Sequence, residues 1–424
     1  MHIMSTLCPM RSSILIVILV AFLFPFTTIG QQPWTIYNSM NSPLPNNSVR
    51  AIALDHNGVY WIGTDFGLAE FDGANWNVYQ TSGSSIPDNG IRSIVIDAQN
   101  NKWIGTFNGG LARYDGSTWT IYDFLNSPLP DNFIRSLAID TAGNIWIGTI
   151  GGLAQFDGVS TWNIYNTGNS LLGSNNIASL NVDTGTNVIA IGTINGGLTY
   201  KDDTVWTQYT LQNSGLPDNS LLGLTRDDQS VLWMSTAASG IAAHLGGVSF
   251  LTQNTFSSDI PSNSTTSIVH VKSQEFWIGT VDSGLVHKNG TAFLKYTTAN
   301  SLLPDNYIQC LAVDTGSVVW AGTQTGGLVR LDASLLTSMA SKEDLSFNCY
   351  PIPARDRLNV EFSMYTSGQL EVYTLEGKLI LSHGVNNALR AELYLPGDIS
   401  NGVYLLGIRS ESGAFISMLL PVSR

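Results

Sequence analysis

The chain has 424 residues and a formal net charge of −13; 12% of its residues are charged and 43% hydrophobic, with 41 Gly, 11 Trp, 3 Cys and 6 His. Acidity argues against a nucleic-acid partner, which needs a basic face for phosphate, and many Trp with little charge exclude disorder. Three cysteines rule out a disulfide scaffold, and six histidines speak against a multi-histidine metal centre, so neither metal nor cofactor is expected.

Residues 1–30 contain one charged residue, Arg11, then an apolar run from Ile14 to Phe26 and a boundary of small residues ending at Gly30. That order describes a secretory signal peptide cleaved near Gly30. The run is shorter than the roughly 20 residues that span a bilayer. No later segment is long and apolar enough to span, so the mature chain is expected to be exported and to have no transmembrane segment.

From residue 31 one unit recurs. A Trp-Ile-Gly-Thr motif stands at Trp61–Thr64, Trp103–Thr106, Trp146–Thr149 and Trp277–Thr280, with variants at Ala190–Thr193, Trp233–Thr236 and Trp320–Thr323; the spacing is 42–44 residues. An apolar-Pro-x-Asn turn precedes each copy, except that the fourth reads Leu172 to Asn175 without proline. A Gly-Leu turn follows the copies, as at Gly67–Leu68, Gly110–Leu111 and Gly327–Leu328, and then an aromatic strand such as Trp76–Tyr79 or Trp119–Tyr122.

Each period holds four short runs of strand character separated by turn residues. In the second copy these are Arg92–Asp97, Lys102–Thr106, Leu111–Tyr114 and Trp119–Tyr122. The turn glycines supply backbone angles that other residues reach only at a cost. Four strands per period of about 43 residues is the pattern of a β-propeller blade. Trp and Ile of the second strand point to opposite faces, each toward a different neighbour. Before the first full set stands an orphan aromatic strand, Trp34–Tyr37; after the last Gly-Leu turn, Leu328–Leu331 lacks one. The orphan therefore completes the seventh blade and closes the ring. The expectation is an all-β chain: a seven-bladed β-propeller over 31–335, then a small immunoglobulin-like β-sandwich.

The stretch Leu129 to Leu153 resembles the two-component-regulator propeller repeat. That family supplies periplasmic sensor propellers of hybrid histidine kinases in Bacteroidetes and also stand-alone exported proteins. With no kinase core, DNA-binding domain or transmembrane helix in this chain, the resemblance carries over at most ligand recognition. Fold does not fix function.

After a polar linker at 336–344 the grammar changes. Asn348 to Ala354 leads into Leu358–Phe362. A hairpin around Glu376 and Gly377 joins Gln369–Tyr373 to Lys378–Leu381, and a second turn near Gly413 joins Gly402–Ile408 to Ala414–Leu420. Short alternating strands over about 75 residues describe a small sandwich. Tyr350, Pro351, Pro353 and Ala354, the Gly377–Lys378 hairpin and the strand start at Gly402–Tyr404 resemble the type A C-terminal sorting domain of type IX secretion, with Ile352 where that family has Asn. The resemblance makes 345–424 a secretion sorting domain and the type IX machinery a partner. It places the protein outside the cell or on its outer surface, exported through the periplasm.

Catalytic motifs are not found: there is no Gly-x-Ser-x-Gly elbow, Walker loop or His-Glu-x-x-His pair. His244, His270 and His287 fall at different strand positions of the fifth and sixth copies, and Cys310 reads as a small core residue. Asp55, Asp97, Asp140, Asp183, Asp227 and Asp314 recur eight residues after the turn Asn, with Val271 as the exception; each is expected to accept turn N–H bonds.

Arg50, Arg92 and Arg135 recur three residues after the turn Asn in three adjacent copies, where the others have Ala178, Leu222, Thr266 and Gln309. The connection into an innermost strand opens on the face that usually holds a propeller's ligand. Three guanidiniums there suit a carboxylate-bearing sugar or peptide, although structural pairing with loop carbonyls competes. The loops after each Gly-Thr share that face and carry Asp65, Phe66, Phe107 and Asn108, with Ile150 and Asn195 beside them. The expected function is non-catalytic recognition of a saccharide or protein ligand at the loop face. The alternatives are a secreted propeller enzyme, a polysaccharide lyase or hydrolase, and a structural or adhesive surface protein.

Overall fold

The computed structural model describes residues 33–314, 316–338, 347–374, 378–410 and 415–423. The expected signal peptide, most of the linker, and the turns at Glu376–Gly377 and Gly413 lie outside them. The described chain is all-β apart from one 3-10 turn at Ala333–Ser338.

Seven four-stranded antiparallel sheets lie between Trp34 and Asp332. Sheet one consists of Val49–Leu54, Tyr60–Thr64, Gly67–Phe71 and Trp76–Tyr79 in that order, and five more follow the same plan. Sheet seven is built from both ends: Ile308–Val313, Val318–Thr323 and Leu328–Asp332 are joined by the orphan strand Trp34–Tyr37, with Trp34 opposite Leu331 and Tyr37 opposite Leu328. First strands of consecutive sheets lie side by side, and Ile308–Val313 in turn lies beside Val49–Leu54.

The recurring motif packs these sheets against each other. Trp61 is buried with Ile91, Ile94 and Ile104 of sheet two, whereas Ile62 faces Val49, Trp320 and Leu328. The intervening glycine is a contact residue, not a turn residue: a Cβ on Gly63 would stand 2.5 Å from Ile91 of the next sheet. Gly105 meets Ile134, Gly148 Ile177, Gly192 Leu221, Gly279 Ile308, and Gly322 Val49 across the seam between sheets seven and one. In sheet five Ser235 takes that place, and the facing first strand begins with the smaller Thr265. The motif threonine donates its hydroxyl to the carbonyl of the glycine that opens or precedes the third strand in all seven sheets, as from Thr64 to Gly67 at 2.8 Å.

The recurring aspartates accept turn N–H bonds as expected, and they also hold the motif tryptophan. Asp97 accepts from Asn101 N–H at 2.8 Å and from Trp103 Nε1–H at 2.9 Å. The same indole bond occurs for Asp55, Asp140, Asp227 and Asp314. The two exceptions fit this coupling. Ala190 replaces Trp in sheet four, and Asp183 pairs with Arg226 at 3.5 Å instead; Tyr200, directly opposite Ala190, packs into that seam and shares a 2.9 Å bond with His244 Nδ1. Where Val271 replaces Asp, the buried Trp277 Nε1 has no hydrogen-bond partner among the described residues.

The C-terminal strands Phe347–Tyr350, Arg357–Tyr373, Leu379–Tyr394, Gly402–Ser410 and Phe415–Val422 form one hydrogen-bonded sheet. Both expected hairpins are present: Glu371 opposes Ser382, and Tyr404 opposes Leu420. The long strand Arg357–Tyr373 pairs with three others along its length. Leu358, Val360, Leu370, Val372, Leu406, Ile408 and Leu420 are fully buried in its core.

Candidate functional site

Antiparallel order brings the connections before each first strand and those between second and third strands to the same end of every sheet. Seven asparagines brace the former. Asn47, Asn89, Asn132, Asn175, Asn219, Asn263 and Asn306 each accept a backbone N–H eight residues upstream, at 2.8–3.0 Å. Three residues on, all seven side-chain positions line a single cavity of about 630 Å³: Arg50, Arg92, Arg135, Ala178, Leu222, Thr266 and Gln309.

The three arginines are differently engaged. Arg50 makes a two-pronged contact with Asp65, Nε to Oδ1 at 2.8 Å and Nη2 to Oδ2 at 3.1 Å. Arg92 reaches the same carboxylate with Nη1 at 3.0 Å, and its buried Nε has no partner among the described residues. Arg135 donates to the amide oxygen of Asn176 at 3.0 Å; no carboxylate stands within ion-pair distance of it among the described residues. Asp65 also accepts from Ser48 Oγ at 2.6 Å, and Ser48 from Gln309 across the closing seam.

Two phenylalanines complete the sector. The Arg92 guanidinium lies 4.7 Å from the Phe107 ring centre, Phe107 contacts Phe133 at 4.6 Å, and Arg135 lies 5.6 Å from Phe133. Such cation–ring contacts orient a guanidinium without neutralising it. A continuous chain therefore runs from Gln309 through Ser48, Asp65, Arg92, Phe107 and Phe133 to Arg135 and Asn176. Across the cavity stand Ala178, Leu222, Leu224 and Ile268.

Charge in the sector is uneven. Burial pushes the Asp65 carboxyl up, but the bonds from Arg50 and Ser48 and the charges of Arg50 and Arg92 outweigh it and hold it below the usual carboxylate range. Burial, then the charge of Arg50, lowers the Arg92 value; burial lowers that of Arg135. A guanidinium stays protonated through such shifts. Three cations face one carboxylate, with Asp88 as a more distant counter-charge for Arg92.

Four of the expected residues thus converge with Arg92: Arg50, Arg135, Asp65 and Phe107. Asp65 serves as the counter-ion of Arg50 and Arg92, and its two oxygens accept from both arginines and from Ser48. Of the expected residues only the three arginines line the cavity; Asp65 and Phe107 contact them from outside its lining, and Phe66 and Asn108 do neither. Phe66 is exposed and its carbonyl accepts from Gln80; Asn108 donates its backbone N–H to Asp88 at 2.6 Å. Phe133 and Asn176 were not singled out from the sequence. The signal exists: each stands one residue after the turn Asn, two before the cavity-lining position, so strand alternation puts both on the same side.

The histidines are engaged elsewhere. His244 bonds Tyr200 and the Gly247 carbonyl, His270 the Ser273 carbonyl, and His287 Glu275 at 2.9 Å. No group of His, Cys, Asp or Glu among the described residues is placed to hold a metal. Cys310 and Cys349 are free; burial pushes the Cys310 thiol up to about 12, which suits a core residue.

Residues 43–66 and 128–151 match the two component regulator propeller family, and residues 348–420 match the secretion system C-terminal sorting domain. The chain carries both, and the sorting domain marks it for export and attachment to, or release from, the cell surface. Among solved structures it is similar to the extracellular domain of BT3049 from B. thetaiotaomicron, described as a hybrid two component system, at 18% identity and TM-score 0.66, covering 92% of this chain and 58% of that one. It is similar to PorZ of Porphyromonas gingivalis, described as an essential surface component of the type-IX secretion system, at 15% identity and TM-score 0.56, covering 89% and 60%. Virginiamycin B lyase from Staphylococcus aureus aligns at 13% identity and TM-score 0.58, covering 70% and 98%. The chain spans less than two thirds of the first two proteins. These identities show a shared fold alone. No curated protein matches the chain in sequence.

Proposed function

We propose that this exported chain of two-component-regulator propeller repeats is a non-catalytic recognition protein that binds an anionic ligand, a carboxylate-bearing saccharide or protein, at the channel mouth. The seven sheets are read as the blades of a closed seven-bladed propeller over 31–335. It follows a signal peptide at 1–30 and is joined by the linker 336–344 to an immunoglobulin-like sorting domain at 345–424, which the type IX machinery handles.

One observation carries the binding assignment: Arg92 and Arg135, stacked against Phe107 and Phe133, face a cavity of about 630 Å³ with more positive charge than Asp65 can neutralise. On a chain of net charge −13 such a local basic spot focuses the field on an incoming anion. A carboxylate would take paired N–H donors from the guanidiniums, and a ring or planar group would lie on the phenylalanines. Each histidine of sheets five and six already has a structural bond, which supports a binding rather than a catalytic role.

The test is thermal unfolding of the purified chain with trigalacturonate and, separately, with an acidic peptide bearing a free C-terminus. At least one probe should raise Tm, and the rise should vanish in both Arg92→Ala and Arg135→Ala. A rise that survives both changes, or no rise with either probe, sinks the assignment.

A further inference from the structure

The cavity has two unlike walls. Arg50, Arg92 and Arg135 hold the first-strand register of sheets one to three; in sheets four and five the same register holds Ala178 and Leu222. Leu224 lies two residues further along that strand of sheet five, and Val269 and Leu311 add aliphatic side chains from sheets six and seven. None of these is sealed in a core. Leu224 packs in the seam between sheets four and five, Val269 and Leu311 in that between sheets six and seven, and each is only half-buried. In the ring of seven first strands, sheets five and six stand opposite sheet two, so the aliphatic wall faces Arg92.

The polar side chains of that wall are already used. Thr266 donates its hydroxyl to the Ile308 carbonyl at 2.6 Å. Gln309 donates from Nε2 to Ser48 Oγ at 3.0 Å and to the Thr323 carbonyl at 2.9 Å. Ser267 Oγ and Gln309 Oε1 have no partner among the described residues, but both atoms are sealed from solvent. Tyr307 adds one phenol to the lining. A sugar ring carries a hydroxyl on most of its carbons, and each one laid against Leu222, Leu224 or Val269 would give up its water for no new bond. An apolar body gains there instead. The volume of about 630 Å³ falls within the range of small-molecule sites, which combine an apolar lining with a few placed polar groups.

We infer that the ligand of the channel is an amphipathic carboxylate: Arg92 and Arg135 hold the anion, and an aliphatic or aryl body attached to it lies on Leu222, Leu224 and Val269. The inference rests on the channel being an anion site and specifies what the anion is attached to. A free acid and the C-terminus of a chain ending in an apolar residue present this same chemistry.

The experiment is calorimetric titration of the purified full chain with acetate, butyrate, hexanoate and octanoate, with hexanol, trigalacturonate and the tripeptide Gly-Gly-Leu as further probes. Affinity should rise about two- to fourfold for each added CH2, hexanoate should bind more tightly than trigalacturonate, and hexanol should not bind. Hexanoate affinity should fall by about tenfold or more in Arg135→Ala. Leu222→Thr, which gives sheet five the side chain that sheet six carries at that register, should weaken octanoate severalfold and flatten the rise with chain length. Circular dichroism checks that both variants keep the fold. Tighter binding of the tripeptide than of hexanoate supports the class with a chain end as its source; the reverse supports it with a free acid. Affinity that does not grow with chain length, beside trigalacturonate binding lost in Arg135→Ala, overturns the amphipathic class and leaves the anion site standing. Growth with chain length that Leu222→Thr leaves unchanged overturns the role of the aliphatic wall. Hexanol binding as tightly as hexanoate, or failure of every carboxylate to bind, overturns the anion site itself.

Discussion

Sheets one to three and sheets four to six present the same backbone to the channel with opposite chemistry. The first group offers Arg50, Arg92 and Arg135, the second Ala178, Leu222 and Thr266, at equivalent positions of the same strand. What the two groups share is what the fold requires: the bracing Asn, the threonine that closes onto a glycine carbonyl, and the small second-strand residue that meets the first strand of the next sheet. What they do not share is free to serve a ligand. The seams differ likewise. Between sheets one and two, Asp55 carries a buried ion pair with Lys102 at 3.1 Å, the two side chains 3% and 7% exposed. At the equivalent place in sheet five, Asp227 holds only its turn and Trp233.

That contrast yields the largest expected effect. Asp55→Ala strands a buried ammonium and should cost about 3–5 kcal/mol, whereas Asp227→Ala loses hydrogen bonds alone and should cost about 1–3 kcal/mol. Urea unfolding of both variants decides; equal losses would break the comparison between the two seams. Gly148→Leu comes next. Its new side chain would collide with Ser136 and Ile177, and overpacking should cost about 1–3 kcal/mol. An unchanged urea midpoint would mean that the second strand and the next sheet can separate freely at this contact.

The smallest effect is acid sensitivity. Burial raises the Asp55 value, but bonds from Val59 N–H, Lys102, Asn57 N–H and Trp61 outweigh it and hold the carboxyl below its ordinary value. A depressed native value contributes stability in full above the unfolded value of about 3.9. That contribution is lost as pH falls through the native value. The unfolding midpoint should therefore drop below about pH 4, and Asp55→Asn should flatten that part of the curve. A parallel pH profile in the variant would remove Asp55 as the source.

Much of this was legible in the sequence because it repeats. The period, the four strands of each copy, the pairing of Trp34–Tyr37 with the last sheet and the shared position of three arginines are matters of spacing along the chain. The role of the motif glycines within the second strand could not be read from spacing, because their neighbour lies in the next sheet: a Cβ on Gly63 would meet Ile91. The exchange of Ala190 and Tyr200 for a tryptophan was likewise invisible, since one residue of the pair is read alone and the other compensates across the strand ladder.

By itself the sequence determined the repeat, the strand order, the export tail and the shared register of Arg50, Arg92 and Arg135. All of these follow from local hydrogen bonding, side-chain alternation and period. Only the tertiary structure decided the state of the arginines. Arg135 meets Asn176 from 41 residues away, and Arg50 and Arg92 belong to separate sheets yet share Asp65. Free charge at the channel mouth is a property of sheets brought side by side, and no single copy of the repeat contains it.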